Sequence, residues 1–283
     1  MTTFFYFLLS LTLTVSALAG PAKPARPVNY VVLLDLSDRL LVPDQARRDA
    51  ALVQAVFARF EQQVRSQLII NSHDRFRVVV APQRGISYRP GVYMDALYLD
   101  MGTTAMAQKR QRLDALKADL PRQLMQLYAV ALAGKRQARD FAGCDLWQYA
   151  NEQLPTDLDP GYGNVLVVIT DGYFDFENNP RAIRQGNRAT DSRMLERLRR
   201  DPNWRATLAM PTEGLLPVTK PLPNLAVCVV ELRSKFDNLK EIDLLAALWN
   251  KWLHELRVRK QAVQAQGSQT KSLAMLTQFL TLR

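Results

Sequence analysis

The sequence predicts an α/β fold: a doubly wound, mostly parallel central sheet flanked by helices, with a C-terminal helical extension. Three observations carry this expectation. Apolar runs at 30–34, 165–169 and 225–230 are rich in Val, Leu and Ile without polar alternation, the pattern of strands buried on both faces. The segments between these runs repeat apolar residues at helical spacing. The chain has 283 residues, 48% hydrophobic and 23% charged, which is enough to bury a substantial core and excludes disorder and collagen.

The first nineteen residues carry no charged side chain, and 4–18 is mostly apolar. Ala17-Leu18-Ala19 before Gly20 is the small-x-small pattern that a signal peptidase accepts, and Pro21, Pro24 and Pro27 mark an extended lead into the mature chain. The reading is a secretory signal over 1–19 and a leader over 20–28, giving an exported protein, periplasmic or extracellular. The start Met1-Thr2-Thr3 lacks Lys and Arg, so an uncleaved membrane anchor is the alternative. The apolar run is shorter than the ~20 residues a spanning helix needs. No Cys follows it to take a lipid, and after cleavage no transmembrane helix is expected.

From residue 29 the elements follow in order. After the strand at 30–34, the segment 44–68 places Leu52, Val53, Val56, Phe57, Phe60 and Val64 on one helical face, with Asp44 as its N-cap. Strands are expected at 75–81 and 96–99, then a helix over 108–132 broken in two at Pro121. Beyond the strand at 165–169, Met194, Leu195 and Leu198 mark a helix in an Arg-rich stretch. A Pro-rich loop leads to the strand at 225–230. The segment 239–258 then forms an amphipathic helix whose Trp249 and Trp252 read as core. One domain over 29–258 is the simplest division, with 259–283 a polar segment and a short terminal helix.

Composition narrows the chemistry. Two His and two Cys are too few for a disulfide framework and leave little for a Cys/His zinc site or a hydrolytic triad. His73 lies in a polar turn and His254 on the amphipathic helix, both read as surface residues. Cys144 and Cys228 could pair in an oxidising compartment, but Cys228 lies mid-strand and reads as a small buried hydrophobe.

In open sheets of this kind, ligands bind outside the carboxyl ends of the strands. Here those ends are acidic. The first strand runs into Asp35-Leu36-Ser37-Asp38-Arg39 and the second into Thr170-Asp171-Gly172, followed by Asp175. Two carboxylates and a hydroxyl at one edge suit a hard divalent ion, magnesium or manganese. Turn chemistry alone does not require two acids there.

A strand ending in Asp-x-Ser, a long amphipathic helix and a later strand ending in Thr-Asp-Gly resemble the von Willebrand factor type A domain, a Rossmann-like fold, with its metal-ion-dependent adhesion site. The resemblance spans 29–256 but rests on about a dozen residues. It implies that Asp35, Ser37 and Asp171 face a metal, with Asp145 helping, and that a partner's carboxylate completes the ion's coordination. The family's second hydroxyl is replaced by Arg39, and its loop threonine by Cys144. Gly102-Thr103-Thr104 is the competing candidate for that threonine. The site is therefore a degenerate one with two versions: a weakly held ion, or no cofactor, with Arg39 folded over the carboxylates as a salt bridge. Asp38, Arg39, Cys144 and Asp175 are the residues placed to meet a partner, with Arg39 able to take its acid through a bidentate contact.

The net charge of +10, from 37 Lys and Arg against 27 Asp and Glu, favours acidic partners. It gathers at 181–205, with eight Arg against three acids, and at 251–283. For an exported chain the partners are a protein with an acidic group or an anionic envelope component. Nucleic acid is disfavoured, since no aromatic interleaving supports base stacking. The expected function is non-catalytic binding at the carboxyl edge of the sheet. A metal-dependent phosphate-ester hydrolase using Asp35, and a structural scaffold with an inert site, are the alternatives.

Overall fold

A computed structural model describes residues 26–174, 182–222, 224–236 and 239–281. The expected signal, most of the leader and Asp175 lie outside the described residues. In chain order the elements are β1 (Val28–Leu34), α1 (Gln45–Ser66), β2 (Arg75–Val80), α2 (Pro90–Ala96), β3 (Tyr98–Asp100), α3 (Lys109–Leu132), the short α4 (Leu146–Gln148) and α5 (Leu154–Asp157), then β4 (Gly163–Ile169), β5 (Arg184–Gln185), β6 (Asn187–Ala189), α6 (Met194–Arg200), α7 (Trp204–Ala209), β7 (Glu213–Leu215), β8 (Leu225–Leu232), α8 (Leu239–Glu255), β9 (Lys260–Ala265) and α9 (Gln269–Thr281).

The three apolar runs are the neighbouring central strands β1, β4 and β8 of a six-stranded sheet ordered β3-β2-β1-β4-β8-β9. All its pairs are parallel except β2 with β3. Because strand side chains alternate between faces, β1 serves two cores at once. Tyr30, Val32 and Leu34 pack with α1, α3 and α9 on one face. Val31 and Leu33 pack with α6, α7 and α8 on the other. A strand buried on both sides cannot alternate in polarity, which is why these runs are continuous. A second, three-stranded sheet, β5-β6-β7, lies outside the main one.

Register fixes the functional edge. Leu34 pairs with Ile169, and Ile169 with Val230, so β1 and β4 end level while β8 runs two residues further to Leu232. The ladder runs one residue further: Asp35 N–H donates to Ile169 C=O at 3.1 Å and Thr170 N–H to Val230 C=O at 3.2 Å. Asp35 and the Thr170-Asp171 pair thus leave the sheet side by side.

Four expectations change. Pro121 does not divide α3, which runs unbroken with Pro121 on its exposed side. Leu113, Leu116, Leu120, Leu124 and Leu127 keep one buried face through the proline, and that packing outweighs the lost backbone bond. Asp44 holds the N-cap position of α1 at φ 61° but makes no side-chain cap; its carboxylate meets Arg47 at 3.2 Å. The segment 96–99 forms strand only from Tyr98, and antiparallel to β2.

The fourth change concerns the tail. Residues 260–265 are not a polar connector but the sixth strand, and α9 buries Leu276, Phe279 and Leu280 in the same core as α1. An edge strand has one sheet neighbour and partial cover, so Lys260-Gln261-Ala262 carries little apolar signal. A buried carboxylate pins this unit in place. Glu231 sits at a register shift in β8 with φ 72°. It receives Arg48 Nε and Nη2, each at 3.0 Å, Gln266 Nε2 at 2.9 Å and Ser272 Oγ at 2.7 Å. Burial opposes its ionisation, but these donors hold its pKa below the ordinary glutamate value. Leu276→Ala is therefore expected to cost about 2–5 kcal/mol in urea unfolding. A cost under about 0.5 kcal/mol would mean that the tail is outside the core.

Candidate functional site

The site is built where β1 and β4 end. Asp35, Ser37 and Asp171 are all buried here. Asp35 is fully engaged: Oδ2 accepts the Thr170 hydroxyl at 2.7 Å and Oδ1 accepts Ser37 N–H at 3.0 Å. Thr170 Oγ1 in turn accepts Gly172 N–H at 3.0 Å. Gly172 turns at φ 104°, and a Cβ there would meet Leu232 at 3.1 Å, so the third residue of Thr-Asp-Gly has to be glycine.

Asp171 is less well provided. Oδ1 accepts Tyr173 N–H at 3.3 Å, while Oδ2 has no hydrogen-bond partner. Ser37 Oγ is likewise buried without one. Burial, and then the charge of Asp35, push the Asp171 carboxyl up to about 7, with Lys235 and Arg39 acting the other way. A buried polar atom left unpaired costs about 1–3 kcal/mol, and two such atoms, Asp171 Oδ2 and Ser37 Oγ, lie at this one sheet edge.

Arg39 is corrected. It neither covers the two carboxylates nor faces outward to take a partner's acid. Its side chain is 2% exposed. Its guanidinium grips Asp49 of α1 bidentately, Nη1 to Oδ2 at 2.5 Å and Nη2 to Oδ1 at 3.0 Å, with Nη1 also 3.3 Å from the Asp35 backbone oxygen. Gln45 Nε2 donates to Asp49 at 2.7 Å and the Tyr128 hydroxyl at 3.4 Å. Burial works against the guanidinium's charge, but Asp49 outweighs it and raises the pKa further. Both donor edges are committed inside the protein, so the cation that remains at this edge is another residue.

That residue is Lys235, three positions after β8. Its Nζ donates to Asp38 Oδ1 at 2.8 Å and lies 5.1 Å from the centre of the Tyr173 ring. Burial tends to lower its pKa, but the charges of Asp171, Asp38 and Asp35 prevail and raise it. Lys235 is thus an ammonium held in the field of three carboxylates while part of its side chain still meets solvent. The sequence signal is there, since Lys235 too follows a central strand, but a lysine is no ligand for a metal ion and so has no place in an acidic motif.

The Cys144 thiol reaches the Asp35 carboxylate. It is buried, and burial followed by the charge and hydrogen bond of Asp35 raises its thiol pKa well above the ordinary value, so it stays protonated. It is not in a disulfide, and nor is Cys228. Asp145 is corrected: its Oδ1 caps α4, accepting Gln148 N–H at 2.7 Å. Gly102-Thr103-Thr104 is at the wrong edge. It follows Asp100, which pairs with Arg75 at the start of β2, and both threonine hydroxyls turn back to Asp100 C=O.

These residues fit a divalent ion poorly. Ser37 Oγ and Asp171 Oδ2 are free to ligate, but Arg39 is no ligand, Cys144 is a neutral thiol and Asp145 is occupied. Among the described residues no group of three or more His, Cys, Asp or Glu is arranged to hold a metal, whereas magnesium demands near-octahedral oxygen coordination.

Fold and site together define an α/β protein with a six-stranded, mostly parallel sheet and a charged carboxyl edge. No family model matches the chain, and no curated protein matches it. Solved structures similar to it include the pilus adhesin SpaC from Lactobacillus rhamnosus GG, at 12% identity, covering 91% of this chain and 30% of that one, TM-score 0.44. The open conformation of that adhesin gives 11% identity, the same coverages and TM-score 0.39. Proximal thread matrix protein 1 from the mussel byssus gives 11% identity, covering 90% of this chain and 47% of that one, TM-score 0.34. The chain therefore spans less than half the length of each. No helix among the described residues is long and apolar enough to cross a membrane.

Two outcomes test the site's construction. Arg39→Met, which leaves Asp49 buried alone, is expected to cost about 3–5 kcal/mol in urea unfolding, with most of it recovered in Arg39→Met/Asp49→Leu. Full additivity of the two substitutions would contradict the pairing. For Asp171, an acid that stays protonated to about 7 when folded but ionises near ~3.9 when unfolded makes stability fall as pH rises between those values. Asp171→Asn is expected to remove that fall, gaining up to about 4 kcal/mol over the parent at pH 8 relative to pH 4. An unchanged difference between the two pH values would show that Asp171 ionises normally.

Proposed function

We propose that the chain is an exported, non-catalytic binding protein of von Willebrand type A-like, doubly wound architecture, in which an acidic group of a partner docks at the carboxyl edge and is met by the Lys235 ammonium in place of a metal ion. The observation that carries this is Lys235 itself, part-exposed on Asp38 at 2.8 Å beside the buried, half-satisfied Asp171.

The topology supports the reading. Chain order reverses between β1 and β4, which is where open α/β sheets bind their ligands, and Asp35 and Asp171 flank that point. A partner carboxylate approaching Lys235 exchanges with Asp38, a half-buried residue that can turn to water, so the ammonium is never left unpaired. The buried Ser37 hydroxyl and Cys144 thiol line the edge below. Neither histidine takes part: His73 and His254 are both exposed.

The test is chemical crosslinking of the chain to its native envelope in the presence of EDTA. A partner captured by the parent is expected to be lost at least tenfold with Lys235→Gln and to need its own carboxylates unblocked. Capture unchanged by Lys235→Gln and by Asp171→Asn would favour the inert scaffold. Magnesium-dependent turnover of a phosphate ester, abolished by Asp35→Ala, would favour the hydrolase.

A further inference from the structure

The Arg-rich stretch takes no part in the carboxyl-edge site, and the fold gives it a shape of its own. The strands β5 and β6 and the helix α6 enclose a cleft of about 460 Å³, within the range of small-ligand sites. Arg184, Arg188, Arg193, Arg197 and Arg200 line it, and Glu196 is the one acid among the described residues of its lining.

Three of the five arginines are braced from behind. Arg188 is held by Glu255 and by the carbonyls of Pro211 at 3.0 Å and Glu213 at 2.9 Å. Arg197 is paired with Glu213, and Arg193 with Asp191 at 2.6 Å. None of those three acids lines the cleft, and Asp191 and Glu213 are buried. The carboxylates therefore orient these guanidiniums from outside the cleft while offsetting part of their charge. Arg184 and Arg200 are exposed and have no ion pair among the described residues. The outcome is a concave surface that offers planar N–H donors from five side chains, some fixed and some adjustable.

Ligand chemistry follows from the donor set. Guanidinium forks match the tetrahedral oxygens of phosphate bidentately, and several forks converging on one cavity favour a group with more than one negative charge. No aromatic residue is among the described residues that line the cleft, and stacking on a nucleobase has no platform among them. We propose that this cleft is a second binding site, separate from the carboxyl edge, for a phosphomonoester or pyrophosphate group. The group belongs either to a free organic phosphate or to a lipid headgroup, and the cleft recognises the chemistry they share.

Calorimetric titration of the whole mature chain with inorganic pyrophosphate, alongside sedimentation with vesicles of phosphatidic acid in phosphatidylcholine, tests it. Arg184→Gln/Arg200→Gln is the informative variant, because both side chains are exposed and its fold can be checked by thermal unfolding. Arg110→Gln/Arg112→Gln on the exposed side of α3 is the charge control. Saturable pyrophosphate binding, weakened at least tenfold in the cleft variant, unchanged in the control and reduced by salt, is the expected result. Vesicle binding with the same variant pattern assigns the group to a lipid headgroup, and its absence assigns it to a free phosphate. No saturable binding in either arm, or an equal loss in the cleft variant and the control, would overturn the proposal.

Discussion

The buried pair between Arg39 and Asp49 is the interaction on which the carboxyl edge depends. It ties the loop after β1 to the first turns of α1, with Gln45 and Tyr128 completing the shell around Asp49. An ion pair removed from water recovers its desolvation cost only with good geometry and satisfied neighbours, and this one has both. Because the guanidinium turns inward, Asp35 and Ser37 are presented at the sheet edge by a rigid loop. The residue that breaks the adhesion-site motif thus works as a strut. It also withdraws one cation from the edge, leaving Lys235 to balance the acids there.

Much of the fold was legible because burial on both sheet faces leaves a strong mark. Tyr30 to Leu34 serves two cores, so each position had to be apolar, and the same holds for the runs in β4 and β8. The failures have a common origin in weaker or non-local constraints. The strand β9 is an edge strand whose hydrogen bonds, not its side chains, define it. Pro121 was judged by backbone chemistry alone, while the leucine face of α3 continues through it. The Glu231 cluster gathers Arg48, Gln266 and Ser272 from three elements, and no spacing in the sequence announces such a meeting.

The site shows the same division. Asp35, Ser37 and Asp171 were found because strand ends are local features, and the structure brings them together. Asp49, Thr170 and Lys235 complete the arrangement with no mark of their role in the sequence: each acts through a partner distant in sequence, Asp49 through Arg39, Thr170 through Asp35 and Lys235 through Asp38. The choice between Cys144 and Thr103-Thr104 could not be made from spacing, since it depends on which edge of the sheet β3 runs toward. Sequence gave Asp145 an oxygen for a metal; local geometry gave that oxygen to the N-terminus of α4.

What results is a basic protein with two distinct charged surfaces: an acidic edge balanced by one lysine, and an arginine cleft braced by buried acids. The proposed function turns on the Lys235 ammonium standing at the acidic edge in place of a divalent ion. Carbon-13 carboxyl shifts of the aspartates, followed by NMR during separate titrations with magnesium and with a glutamate-bearing peptide, address it most directly. The expected result is no saturable response of Asp35 or Asp171 to magnesium, and a shift of Asp38 as the peptide draws Lys235 away. A saturable magnesium-induced shift of the Asp171 carboxyl, with Asp38 indifferent to the peptide, would contradict it.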